Sequence, residues 1–106
     1  RTTADDADVV VGTWEDGRIG VFRGIRKGKS GFGGTAFGEK GIASIGAFNG
    51  YRPLVVAIVA FFRSGITPIS DEETIEIYAF MEAADESKRL GGVPVNLSEV
   101  LLRAKK

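Results

Sequence analysis

Apolar residues alternate with polar or small ones in two runs near the start of the chain. Asp8-Val-Val-Val-Gly-Thr-Trp14 sends Val9, Val11 and Thr13 to one face and Val10, Gly12 and Trp14 to the other, and in Arg18-Ile-Gly-Val-Phe-Arg23 residues Ile19 and Val21 oppose Phe22. Glu15-Asp16-Gly17 between them carries the Asp-Gly turn signal, so the two runs predict an antiparallel hairpin. Apolar side chains on both faces require a cover on each. Helices supply one cover; the other has to come from outside these elements, as a second subunit or a further domain.

Gly24 to Gly31 is a basic turn holding Arg26, Lys27 and Lys29. Phe32 to Gly38 and Ile42 to Phe48 come next as two further strands around Glu39-Lys-Gly41, which predicts a meander of four short strands. Its dense glycine weakens a strand unless another backbone or sheet comes close enough to use the missing side chains. After Asn49-Gly50, Pro53 suits a first helical turn, and Leu54 to Phe62 runs apolar nearly all round before Arg63-Ser-Gly65 stops it. That composition predicts a deeply buried helix. Val93-Pro-Val-Asn-Leu97 reads as a short edge strand, Ser98 to Arg103 as a last helix, and Ala104-Lys-Lys106 as a loose end.

Between Pro68 and Gly92 lies a helix with both ends written into it. Ser70 and Glu73 form a capping box, Asp71 and Glu72 put negative charge at the positive end of the helix dipole, Lys88 and Arg89 put cations at the other, and Gly91-Gly92 offers a left-handed exit. Ile77, Phe80, Met81 and Ala84 recur at three- and four-residue spacing and predict the buried stripe. Glu76, Glu82, Asp85 and Glu86 fall largely elsewhere and read as a solvated acidic face without metal or acid/base chemistry. Together these elements predict an α+β fold, a two-layer sandwich of a mainly antiparallel sheet with helices packed on one face, as a single domain over residues 1–106.

Composition narrows the chemistry. The 106 residues contain 14 basic and 14 acidic side chains, so no net field draws the chain to nucleic acid or to an anionic membrane. There are no cysteines and no histidines, which removes disulfides, thiolate metal sites and the commonest general base, and makes autonomous catalysis unexpected. The apolar run from Leu54 to Phe62 is about half of the ~20 residues that span a bilayer. Arg1-Thr-Thr-Ala-Asp-Asp has neither an initiator Met nor a signal-peptide profile and reads as a cut end of a longer protein. Nothing separates a cytoplasmic from an exported parent.

Gly31-Phe-Gly-Gly-Thr-Ala36 satisfies the G-x-G-x-x-A spacing of dinucleotide folds, but a basic turn precedes it and Gly38 and Gly41 interrupt the residues after it, so it reads as a glycine-rich strand. The same segment, with Phe32 and then Phe37, resembles the base-stacking strand of an RNA-recognition motif. Gly34 and Ser30 depart from that pattern, as does the element order. A small RNA- or ligand-binding α+β module therefore stands as the alternative reading.

Trp14-x-Asp16-Gly17-Arg18-Ile19-Gly20, Phe37-Gly38-x-Lys40-Gly41, Tyr51-x-Pro53-Leu54, Phe61-Phe62-x-x-Gly65, Glu73-Thr74-x-Glu76-Ile77 and Ala79-Phe80-Met81-Glu82-Ala83-Ala84-Asp85, in this order, resemble the C-terminal part of a Gfo/Idh/MocA-family oxidoreductase. The resemblance implies a substrate and oligomerisation domain whose parent also has an N-terminal Rossmann domain, absent here, that binds NAD or NADP and acts on a sugar or polyol. It implies a homo-oligomer through the open sheet face, and no nucleic-acid or membrane partner. The family's nucleotide fingerprint and catalytic Lys and His motifs have no counterpart in this sequence, so no catalytic, cofactor-binding or metal residue carries over. Trp14, Arg18 and Tyr51 match the family pattern and are the candidate substrate contacts.

Overall fold

The computed structural model describes residues 1–46 and 48–105. The chain is α+β, with antiparallel sheets and three helices, in the order β1 (Thr2–Thr3), β2 (Ala7–Thr13), β3 (Ile19–Ile25), β4 (Gly34–Gly38), β5 (Gly41–Ile45), α1 (Arg52–Ser64), α2 (Asp71–Arg89) and α3 (Leu97–Ala104). It divides into two compact units: residues 1–28 with 69–106, and residues 29–68.

The first unit holds a three-stranded antiparallel sheet in the order β1-β2-β3. Val10 pairs with Phe22 and Gly12 with Gly20, so the two-residue alternation read from the sequence is the alternation of the sheet. The hairpin closes over Glu15-Asp16-Gly17: the Trp14 N–H donates to the Arg18 carbonyl at 2.9 Å, and Gly17 takes φ 88°, where a side chain is disfavoured. β1 was not expected; Thr2 and Thr3 pair with Val9 and Asp8.

Helix α2 begins and ends as its sequence predicts. Ser70 Oγ accepts from the Glu73 N–H at 3.1 Å, which is the serine half of the capping box. At the other end the Gly92 N–H reaches the Ser87 carbonyl at 2.7 Å and the Gly91 N–H the Lys88 carbonyl at 3.1 Å, a Schellman exit with both glycines at positive φ. The buried stripe overlaps the expected one only in part. Ala84 is buried as expected and Phe80 partly so, Ala79, Ala83 and Ser87 are buried with them, and Ile77 and Met81 are about half exposed, at 53% and 51%. Small side chains allow the closest approach, so α2 turns its alanines to Val100 of α3, with Val95, Leu97 and Leu101 packed around them.

The sheet face of Val10, Gly12 and Trp14 meets α2. A β-carbon on Gly12 would lie 2.6 Å from Cε2 of Phe80 and 3.1 Å from the Trp14 ring, so the aromatic pair occupies the space that glycine leaves. The opposite face is bare. Val11, Ile19, Val21 and Ile25 are 58%, 68%, 68% and 47% exposed. The second cover demanded by the alternation is therefore not provided within this unit.

The second unit consists of the β4–β5 hairpin and α1. Phe37 pairs with Ile42 and Gly34 with Ile45 in a two-stranded antiparallel sheet. The expected four-stranded meander thus separates into two sheets, since β3 and β4 are not paired. Of the glycine-rich segment, Gly34 to Ala36 lie in strand β4, Gly31 to Gly33 precede it without regular structure, and no helix opens there. Helix α1 ends at Gly65, whose left-handed φ of 70° lets its N–H cap the Phe61 carbonyl at 2.7 Å. None of its residues is buried, which corrects the expectation of a deeply buried helix. An apolar helix is enclosed only where other elements pack on it, and none packs closely on α1 within its unit. Val93–Leu97, expected as an edge strand, forms no strand: residues 93–96 have no regular structure, and Asn96 caps α3 through Oδ1, which accepts from the Ser98 N–H at 3.0 Å. Ala47 of the expected last strand and Lys106 of the expected loose end lie outside the described residues.

Gly12→Val should destabilise the chain by about 1–3 kcal/mol, because neither aromatic ring can leave without exposing the alanine face. Gly31→Ala, where the added carbon meets open space, should change stability by less than about 0.5 kcal/mol. Urea unfolding of the two variants beside the parent chain measures the difference.

Candidate functional site

Trp14 and Arg18 flank the β2–β3 turn, and the hairpin brings them together. The Arg18 guanidinium carbon lies 5.6 Å from the Trp14 ring centroid. Its Nε donates to Asp16 Oδ2 at 2.7 Å, and its backbone N–H donates to Asp16 Oδ1 at 3.1 Å. The Arg18 backbone N–H, and then its side chain, hold the Asp16 carboxyl below its ordinary value. Trp14 reaches across to α2, where its Nε1–H donates to Glu76 Oε1 at 2.8 Å and its ring stacks on Phe80 with centroids 6.2 Å apart and planes 8° from parallel. Tyr51 belongs to the second unit, at the start of α1, and stands edge-on to Phe48 at 5.2 Å while remaining 69% exposed. Trp14 and Arg18 therefore share one cluster within the first unit, and Tyr51 belongs to the other unit.

Beside the cluster runs an open groove of about 960 Å³, whose lining includes Val10, Trp14, Glu76, Phe80 and residues 94–99. A smaller cleft of about 540 Å³ lies between α2 and α3, lined by Ile75, Tyr78, Glu82, Glu86, Val100 and Arg103. Its rim holds Glu86, which accepts from Arg89 twice at 2.7 Å and from Arg103 at 3.2 Å. Arg89 first and then Arg103 draw the Glu86 carboxyl down to about 2. The acidic face of α2 is thus more engaged than its sequence suggests: Glu76 accepts from Trp14, Asp85 from Arg1 at 2.7 Å, and Glu86 from two arginines.

Sequence reasoning missed a second polar cluster. Asp8, on the same sheet face as Val10, is buried and takes ion pairs from Arg1, at 3.2 Å, and from Arg26. The Arg26 guanidinium also donates to the carbonyls of Ala4 and Ala7 and, at 3.3 Å, of Asp5, so one side chain ties down the segment between β1 and β2. The buried Ser87 hydroxyl accepts from the Arg1 backbone N–H at 2.8 Å and donates to the Val93 carbonyl at 2.7 Å. The Thr3 hydroxyl, then Arg1 and Arg26, lower the Asp8 carboxyl to about 2 against its own desolvation, although Oδ1 keeps no hydrogen-bond partner of good geometry. The alternation of β2 was the available signal, since it puts an acid on the face that holds the core.

Asp8, Asp16 and Glu86 are all shifted downward, which keeps them charged, whereas a general acid needs an upward shift. Among the described residues no three His, Cys, Asp or Glu side chains are placed to hold a metal ion, and no helix is long and apolar enough to cross a membrane. Comparison with protein-family models, with curated proteins and with solved structures returns no match.

The depressed carboxyls set an acid limit. Asp8 and Glu86 fall from ordinary values of 3.8 and 4.5 to about 2, so their contribution to stability is complete above about pH 5 and is lost as pH falls toward 2. Urea titrations followed by the fluorescence of Trp14, the only tryptophan, should show stability dropping across that window. Asp8→Asn should be less stable at pH 7 and should flatten the drop; an unchanged slope would contradict this account.

Proposed function

We propose that this chain is the substrate-pocket and oligomerisation part of an NAD(P)-dependent sugar or polyol oxidoreductase of the Gfo/Idh/MocA kind, working with a Rossmann domain carried elsewhere in the parent protein. The observation that carries this reading is the open sheet face, where Val11, Ile19, Val21 and Ile25 stand exposed on strands whose other face holds the buried Asp8 and Val10. A domain that closes another domain's pocket and builds an oligomer through its sheet has such a face. The rest of the apolar inventory points the same way. Among the described residues the buried hydrophobic ones are Val10, three alanines and Val100, and no large side chain is fully buried. That is a thin core for a chain with 43% hydrophobic residues. The groove beside Trp14 and Glu76 offers an aromatic edge and carboxylates to a polyhydroxylated ligand, with hydride chemistry left to the nicotinamide of the missing domain.

A second reading rests on β4 and the turn before it. Phe32 and Phe37 are 86% and 78% exposed, and Lys29 lies just before them, a pattern suited to stacking on single-stranded bases.

The parent reading frame decides between them. It should encode a G-x-G-x-x-G between a strand and a helix upstream of Arg1, and the full-length protein should reduce NAD or NADP with a sugar or polyol while the present chain alone does not. A start codon directly before Arg1, together with salt-dependent binding of single-stranded RNA that Phe37→Ala abolishes, would overturn the oxidoreductase reading in favour of the second.

A further inference from the structure

Strand β3 ends the first unit's sheet, and its outer edge has no strand partner among the described residues. Such an edge is ordinarily blunted by shortness, charge, proline or a bulge. β3 has seven residues, no proline and one charge, Arg23. Its sequence, Ile-Gly-Val-Phe-Arg-Gly-Ile, reads nearly the same in both directions about Phe22.

The ladder determines which backbone groups are free. The Trp14 N–H donates to the Arg18 carbonyl and the Arg26 N–H to the Asp6 carbonyl, at 2.9 and 2.8 Å, and hydrogen-bonded pairs alternate along the register from one to the other. Residues 18, 20, 22, 24 and 26 therefore turn their N–H and C=O toward β2, and Ile19, Val21, Arg23 and Ile25 turn theirs to the open edge. We propose that β3 pairs antiparallel with β3 of a second copy of this chain, centred on Phe22. In that register Ile19 faces Ile25, Gly20 faces Gly24, Val21 faces Arg23, and Phe22 faces its own counterpart across the two-fold axis.

Only this register satisfies the edge throughout. A shift of one residue sets free backbone groups against occupied ones. A shift of two in one direction places Arg23 directly against Arg23, a like-charge pair on neighbouring strands. A shift of two in the other sets Ile25 against Gly17, inside the hairpin turn. The centred register joins every outward N–H and C=O of the strand, about eight hydrogen bonds in all. It also keeps the cation of each copy against an apolar residue of the other. On the face that meets α2 the two glycines beside Phe22 leave room for the facing rings; the Phe22 ring already lies over Gly24, 3.1 Å from where a β-carbon would stand, and is 58% exposed.

An edge of roughly 24 Å is short. It covers less than the ~1,600 Å² of a stable complex, so association is reversible and concentration-dependent. The inference stands on β3 alone and holds whether or not the parent is an oxidoreductase.

The chain has no cysteine, so Phe22→Cys introduces a single thiol at a position where facing α-carbons lie about 4.5 Å apart, within disulfide range. Mild oxidation should cross-link that variant into a dimer and leave a Thr13→Cys control monomeric. In sedimentation equilibrium, Val21→Glu should tighten self-association roughly fivefold, because each new carboxylate faces Arg23 of the other copy, and Val21→Lys should loosen it by a similar factor. Adding Arg23→Glu to Val21→Lys should restore it. Val21 is exposed and faces the uncharged Val11 on β2, so neither change carries a penalty for the fold of the single chain. A chain that is monomeric at every concentration, or a dimer indifferent to charge at positions 21 and 23 and cross-linked no better through Phe22→Cys than through Thr13→Cys, overturns the proposal.

Discussion

The first unit depends on how closely a strand can approach a helix. Gly12 and Gly20 are paired neighbours on β2 and β3, and with no side chains they leave a hollow that Trp14 and Phe80 fill from the two sides of the interface. The stacked rings set the separation of the layers and the Trp14–Glu76 hydrogen bond sets the register between turn and helix. With that separation set, α2 presents alanines where contact is closest. The volume that a sheet-on-helix core would normally take from Leu, Ile and Val comes here from two aromatic rings lying over glycine.

Most of the local structure was legible in residue order. The hairpin followed from alternation around Asp16-Gly17, and α2 from Ser70 and Glu73 at one end and Gly91-Gly92 at the other, because turn and cap geometries are dictated within a few residues. Legibility failed where tertiary contact decides. Ile77 and Met81 lost the buried stripe to Ala79 and Ala83 because distance of approach outranked hydrophobicity. α1 is apolar all round yet exposed, since burial requires a neighbour and no sequence period reveals whether one exists. The strand reading of Val93–Leu97 gave way to a cap for α3, with Asn96 more valuable at a helix start than Pro94 at a sheet edge.

The polar clusters show the same divide. Trp14 and Arg18 lie four residues apart across a tight turn, and their meeting follows from the turn. Arg1, Asp8 and Arg26 come from the opening strands and Ser87 from the far end of α2, so only the fold discloses their meeting. That network fastens β1 and the end of α2 to the sheet by ionic and hydroxyl contacts, where a larger domain would use buried hydrocarbon.

Arg26 binds the carbonyls between Ala4 and Ala7 with several donors of one planar group. Ala4 and Asp5 lie outside both β1 and β2, and the guanidinium binds their carbonyls where no ladder does. Lysine, a single ammonium on a flexible stem, cannot span the same oxygens, so the substitution usually regarded as conservative is not so at this residue. Methylation of this arginine would keep its charge and yet remove the donors that keep the opening strand in place.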